Sequence, residues 1–453
     1  MNSREDVAVA RPDDRDEPLD EEAADSASNS LMDQVGRQRI RYGMRTWFRT
    51  PPRRHGEVIA SREVSFLELF YDLVYVVLIG RTTHHLAAHI TGRSIFEFAV
   101  VFGLIWLAWF NGTLWHELHG REDGRSRNYI FMQMGLLALL AVFAGEAAGD
   151  DGQGFAIVYS ILFALLTWQW WQVHRVDTDR RYRPTTIRYL IGMVTSTAVV
   201  LASAFVGNTW RLVLWAVVVV CWVIGSHLLL STDHTEGFGE GVTASLVERM
   251  GLFTIIVLGE LVVGVVGGIS DAEHRDVTTV ATGMLGLTIA MGIWWNYFDM
   301  LGRRVPGQRG HRLASWLVAH LPLAMAIAAS GAAMVSIIEH AHDRHTPGPT
   351  AWLLTGSVAI TLGAVSIACT ALPVDEFPSG MQRWVGPTFG IAAVVAVTIG
   401  AFRPAPIVLL SCVSAVLLLA WVAMFAIYLA LGGDPEVEDF QLGDDRGIRS
   451  KGE

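Results

Sequence analysis

Uninterrupted apolar blocks joined by short polar turns set the pattern of this chain. Each runs 18 residues or longer, which reads as a membrane-crossing helix and not as a soluble core element. Twelve such blocks occupy 66–88, 94–114, 129–148, 155–173, 187–206, 210–230, 250–269, 277–298, 313–338, 351–372, 385–402 and 407–431. The eleventh is the weakest, because Gly386, Pro387 and Gly390 interrupt it. The pattern predicts an all-α, polytopic helical membrane protein with about 12 transmembrane helices. Composition agrees: 52% of the 453 residues are hydrophobic and only 17% are charged, against about 25% charged in soluble domains.

Short turns between the blocks carry arginine asymmetrically. With the N-terminus inside, the five inner loops hold thirteen arginines and the six outer loops four, and eight more lie between Arg37 and Arg62. By the positive-inside rule, both termini are expected in the cytoplasm. Residues 1–61 read as an acidic, polar tail followed by a basic segment in which Ile40, Met44, Trp47 and Phe48 recur at helical spacing. That segment fits either an interfacial helix on anionic lipid or a solvated stretch that fixes topology. The start lacks the basic and apolar parts of a secretory signal, so the first spanning helix is expected to direct insertion. Residues 433–453 form a second polar tail. The net charge of −10 comes largely from the tails and says little about partners.

Two segments repeat. SFLELFYDLVYVVLIG from Ser65 and SLVERMGLFTIIVLGE from Ser245 both open with Ser-x-x-Glu, the spacing of a helix-capping box. WLAWFN, ending at Asn111, and WWNYFD, ending at Asp299, close the following blocks alike. Offsets of this kind predict two six-helix units of the same orientation, 62–235 and 236–432, as in several transporter folds.

Intramembrane polar residues carry the candidate chemistry. Glu260 stands alone in GLFTIIVLGELVVGVVGGI, and an ionisable group near a bilayer midplane costs on the order of 3 kcal/mol. It therefore calls for a partner, a proton or a wet cavity. Glu68 and Asp72, four residues apart, share a helix face. Arg249 shares a face with Glu260 but lies eleven residues, roughly 16 Å, away along the axis. Its expected partner is Glu68, Asp72 or Asp299, because buried charges pair. Asn111, Asn296, Asp299 and His320, with Trp294 and Trp295, complete a polar set toward the inner side. The set suits a proton, a cation or a small polar solute. Interhelical hydrogen bonding that holds the halves together is the competing reading, at about 0.6 kcal/mol per contact. Gly264-x-x-x-Gly268 marks close helix packing, and Gly259 could loosen the helix beside Glu260.

Outer histidines form a second set. His340, His342 and His345 lie with Glu339 and Asp343 in EHAHDRH, and such donors at such spacing can hold a transition metal or respond to protons. His116-Glu117-Leu118-His119 lacks the i,i+4 histidines of H-E-x-x-H and reads as an interfacial helix end. Cys221, Cys369 and Cys412 fall inside apolar blocks and imply no disulfide.

VSFLELFYDLVYVVLI, ERMGLFTIIVLGE, WWNYFD and AHLPLAMAIA resemble, in this order, segments of the bacterial low-temperature-requirement A family. The resemblance spans about 62–430. It implies a multi-pass inner-membrane protein linked by name to growth in the cold, and no established biochemical activity.

Three functions remain open. The first is a secondary transporter, proton-coupled through Glu260 and Asp72. The second is a non-transporting sensor or scaffold for cold adaptation. The third is a membrane-embedded enzyme. No nucleophile elbow, Walker loop or dinucleotide fingerprint is present, so the sequence favours a non-enzyme. No cofactor or nucleic-acid partner is expected. The expected partners are the lipid bilayer and a small polar solute or ion.

Overall fold

The computed structural model describes residues 64–432 except 122, 178–182, 231–243, 303, 308–309 and 379, together with 51–54 and scattered positions between 32 and 47. Most of the basic segment before 51 and all of the tail from 433 lie outside the described residues, so the interfacial-helix reading is not tested as a whole. The few described positions between Met32 and Trp47 are helical.

Twelve long helices follow among the described residues. They are α1 (Phe66–Ala88), α2 (Gly92–His119), α3 (Gly124–Ala144), α4 (Gly152–Val176), α5 (Arg183–Ser203) and α6 (Asn208–Leu230). The second set is α7 (Ala244–Asp271), α8 (Val277–Phe298), α9 (Gly310–Glu339), α10 (Gly348–Thr370), α11 (Gln382–Phe402) and α12 (Pro406–Ala430). Each apolar block thus becomes a helix, several extended by a turn at one or both ends. Eleven are long and apolar enough to cross a membrane. The exception is α1, whose Glu68, Asp72, Arg81 and histidines lower its hydropathy, although it packs among α2, α7 and α9.

Local chemistry fixes several ends. Ser65 caps α1 through a reciprocal box: its hydroxyl accepts from the Glu68 N–H while its own N–H donates to Glu68 Oε2 at 3.1 Å. Thr91 and Asp276 cap α2 and α8 by accepting from Ser94 and Thr279 N–H groups. The corresponding box at Ser245 does not form. Residue 244 is already helical, so Ser245 lies inside α7, and its hydroxyl bonds to another helix. Pro387 falls in the second turn of α11 and leaves that helix continuous.

Helices α2 and α9 are the most buried. Around α9 pack α1, α6, α7, α8 and α10. Its contact with α7 is close: a Cβ built on Gly264 would lie 2.3 Å from the Gly331 carbonyl oxygen, so only glycine fits there. Gly268 faces Ile338 in the same seam. Gly259 does not break α7, which is helical without interruption through Glu260. Outward faces carry exposed Val142, Val263, Ile391 and Leu419, suited to lipid tails and not to water.

Candidate ion site at the α1–α7 seam

The cap at Ser65 fixes where α1 begins and turns Glu68 and Asp72, one helical turn apart, toward α7. Arg249 enters that seam, wholly buried. Its Nη2 donates to Asp72 Oδ1 at 3.1 Å, and its Nη1 lies 3.7 Å from Glu68 Oε1. The indole N–H of Trp109, from α2, donates to the same Asp72 oxygen at 2.8 Å, and its ring stacks on Phe253 of α7. Asp72 is 0% exposed. Three helices therefore meet at one carboxylate. Removing the guanidinium would leave two acids in an apolar interior, which is why such a pair is held so closely.

Two of the three acids named as partners for Arg249 are thus correct. The third, Asp299, is exposed and accepts instead from the Trp421 indole of α12 at 2.6 Å. It stands at the last turn of α8 and takes no part in the seam.

Glu260 lies farther along α7. It is 5% exposed, and a Cβ built on Gly80 of α1 would sit 3.2 Å from each of its carboxylate oxygens. Its own backbone carbonyl backs onto Gly331 of α9. Among the described residues no hydrogen-bond donor or cation engages the Glu260 carboxylate. The glycines allow α1 and α9 to close around this side chain without contributing a polar group. Glu260 thus shares the seam with Asp72 but lacks the donors that Asp72 receives at Oδ1, whose other oxygen has no hydrogen bond among the described residues.

The remaining polar residues form separate contacts. His320 donates from Nδ1 to the Trp316 carbonyl at 2.7 Å, and in its neutral form Nε2 accepts from the Tyr297 hydroxyl at 3.1 Å. Asn111 bonds the Leu107 carbonyl and accepts from Tyr189. Asn296 donates to the carbonyls of Gly292 and of Leu417 on α12, leaving its Oδ1 without a hydrogen bond among the described residues. Trp294 and Trp295 face outward. The expected single cluster is thus resolved into the Asp72 centre, the Glu260 position and three local hydrogen-bond sets, because the helices present these residues at different azimuths.

A latch that sequence reasoning missed lies at the inner end of α2. Glu117 is 2% exposed, and the Ser245 hydroxyl of α7 donates to its carboxylate. Arg53, also buried, donates to the Gly120 and Glu117 carbonyls at the C-terminus of α2, where a cation complements the helix dipole. His119 Nδ1 donates back to the Arg53 carbonyl. The His116–His119 segment is therefore a helix end, as expected, and one that is packed inside the protein. The clue was Ser245 itself, which would have to find a partner once it proved not to be a cap.

The outer histidines do not converge. His340 bonds the Ser336 carbonyl, His342 lies 3.3 Å from Asp276, and His345 bonds the Arg403 carbonyl. Among the described residues no group of three or more His, Cys, Asp or Glu side chains is arranged to hold a metal. The metal reading of His340, His342 and His345 is accordingly withdrawn.

Comparison with known proteins adds three findings. An uncharacterized protein of Rhizobium meliloti (strain 1021) is 26% identical over 251 residues, covering 52% of this chain. The chain spans 58% of the length of that relative. No solved structure matches. The family model described as bacterial low temperature requirement A protein matches residues 63–430, and the chain belongs to that family.

Proposed function

We propose that this chain is a proton-coupled secondary transporter of a small polar solute or ion, with Glu260 as the proton- or cation-exchanging group. The observation that carries this reading is a buried carboxylate in a spanning helix with no protein partner among the described residues. Intramembrane acids of that kind belong mostly to pumps and transporters, where an exchanging proton or ion does the work a salt bridge does elsewhere. Asp72 and Arg249 serve the same seam as a fixed ion pair that holds α7 against α1.

The architecture of the proposal is twelve crossings, α1 included, in two six-helix units with both termini cytoplasmic. Neighbour relations support the repeat. α1 packs on α2 as α7 does on α8, α2 on α6 as α8 on α12, α4 on α5 as α10 on α11, and α5 on α6 as α11 on α12. The arginine bias of the short loops supports the orientation. The proposal includes no enzymatic step.

One observation favours the scaffold reading instead. The backbone contact between Gly264 and Gly331 welds α7 to α9 beside Glu260, and a weld resists the movement that transport needs. Reconstituted vesicles decide between the two. With an imposed proton gradient and a panel of small polar solutes, wild-type vesicles should show solute-dependent proton flux, and Glu260→Gln vesicles none. No flux from either protein would leave the scaffold reading standing, and equal flux from both would show that Glu260 is not the exchanging group.

A further inference from the structure

Helices α5 and α6 part along their outer faces to leave a groove of about 390 Å³ that the ion site does not use. Its floor is closed by Tyr189, Ser196, Val218 and Trp222, all buried. The polar atoms of that floor are already occupied. Trp222 donates its indole N–H to Ser196 Oγ at 2.8 Å, and Tyr189 donates its hydroxyl to Asn111. What faces the groove is therefore mostly carbon, with the exposed Thr195 and Cys221 on its walls, and an occupant gains chiefly apolar contact. Gly192 and Gly225 widen it, since a Cβ at Gly192 would come no nearer than 4.0 Å to Trp222 and one at Gly225 would meet nothing within 4 Å.

One end differs from the rest. Arg188 lines the groove there, is exposed, and among the described residues makes no hydrogen bond or ion pair. Ser226 lines the same end, because α5 and α6 run in opposite directions. From Arg188 to Val199 the groove follows eleven residues of helix, roughly 16 Å. That is close to half of the ~30 Å hydrocarbon core, the depth of one leaflet. A long cationic side chain near a helix end reaches toward the headgroups.

We infer that the α5–α6 groove binds one acyl chain of an anionic glycerophospholipid, whose phosphate is held by Arg188. Length, a carbon-rich floor and, among the described lining residues, one unpaired cation at the headgroup end together select this occupant. A neutral polar solute would find only the Thr195 hydroxyl and the Cys221 thiol along the middle of the groove, and a zwitterionic lipid gains less from Arg188.

Native mass spectrometry of the full-length protein in detergent tests the assignment, with phosphatidylglycerol, phosphatidylethanolamine and a free fatty acid of matched chain length as probes. Phosphatidylglycerol should be retained about fivefold more than phosphatidylethanolamine, the effect of one arginine near an anionic surface. Arg188→Gln should abolish the preference and keep the weaker binding. Gly192→Leu with Gly225→Leu should weaken binding of both phospholipids. As an independent readout, phosphatidylglycerol should slow alkylation of Cys221, which lines the groove and is exposed, relative to Cys412. Equal retention of the two phospholipids, an unchanged preference in Arg188→Gln, tighter binding of the fatty acid, or unprotected Cys221 would each overturn the assignment.

Discussion

Replacing Arg249 by glutamine tests whether the α1–α7 seam is held by charge. The guanidinium is fully buried, with its nitrogens 3.1 Å from Asp72 and 3.7 Å from Glu68. At an effective dielectric of about 20 these distances correspond to gross attractions of about 5 and about 4 kcal/mol. Desolvation of the three ions takes back much of this, so the net worth of the cluster is small compared with those figures. The cost of removing one member is larger than that net worth, because Asp72 is then left buried with only the Trp109 indole as donor. Breaking a buried pair in this way costs about 3–5 kcal/mol. Equilibrium unfolding in detergent micelles measures it, and Asp72→Asn with the double variant completes a cycle. The double variant should be less destabilised than the sum of the two single variants by about 2 kcal/mol, within the range for charges in direct contact. Additive losses, or an Arg249→Gln protein within about 1 kcal/mol of wild type, would show that the seam is held by packing alone.

Three further outcomes follow from the same geometry. Gly331→Ala places a Cβ 2.8 Å from the Glu260 carbonyl, where backbone must move, so it should cost about 1–3 kcal/mol in the same unfolding assay. Ser245→Ala removes a hydrogen bond to a buried carboxylate and should destabilise by about 1.5–3 kcal/mol, with faster proteolysis after Arg53 if the latch secures that segment. Outside the membrane, the Thr279 backbone N–H that donates to Asp276, the cap of α8, holds its carboxyl below the usual range. A lowered acid stabilises the fold above its unfolded value, about 3.9 for Asp, and the benefit is lost as pH falls through the lower folded value. Hydrogen exchange at the start of α8 should therefore rise in that acid window for wild type, and the rise should be absent in Asp276→Asn.

The helices were legible because a run of apolar residues long enough to cross a bilayer has few other uses, and α1 and α8 begin and end where the hydropathy pattern places them. The pairing of Arg249 with Glu68 and Asp72 was legible too, since a buried cation must find a nearby acid. Which acid it rejects was not, because the choice depends on the rotation of α8, and that is set by packing against α12. Ser245 misled for a local reason. A Ser-x-x-Glu spacing signals a cap only where a helix starts, and α7 starts earlier than its apolar block. Trp109, Glu117 and Arg53 gave no local signal, as each acts on a partner at least 37 positions away. The outer histidines show the converse: proximity in sequence brought donors together that the loops then turned apart.

Dicyclohexylcarbodiimide, which attacks carboxylic acids in apolar surroundings only when they are protonated, gives the most direct test of Glu260 as an exchanging group. Intact protein in lipid vesicles would be labelled at a series of pH values on either side of neutrality and the modified residue located by mass spectrometry. The account predicts labelling at Glu260 that declines as pH rises, while Asp72, held by Arg249 and Trp109, stays unmodified. Labelling of Asp72 in preference to Glu260, or no labelling of Glu260 at any pH, would contradict it.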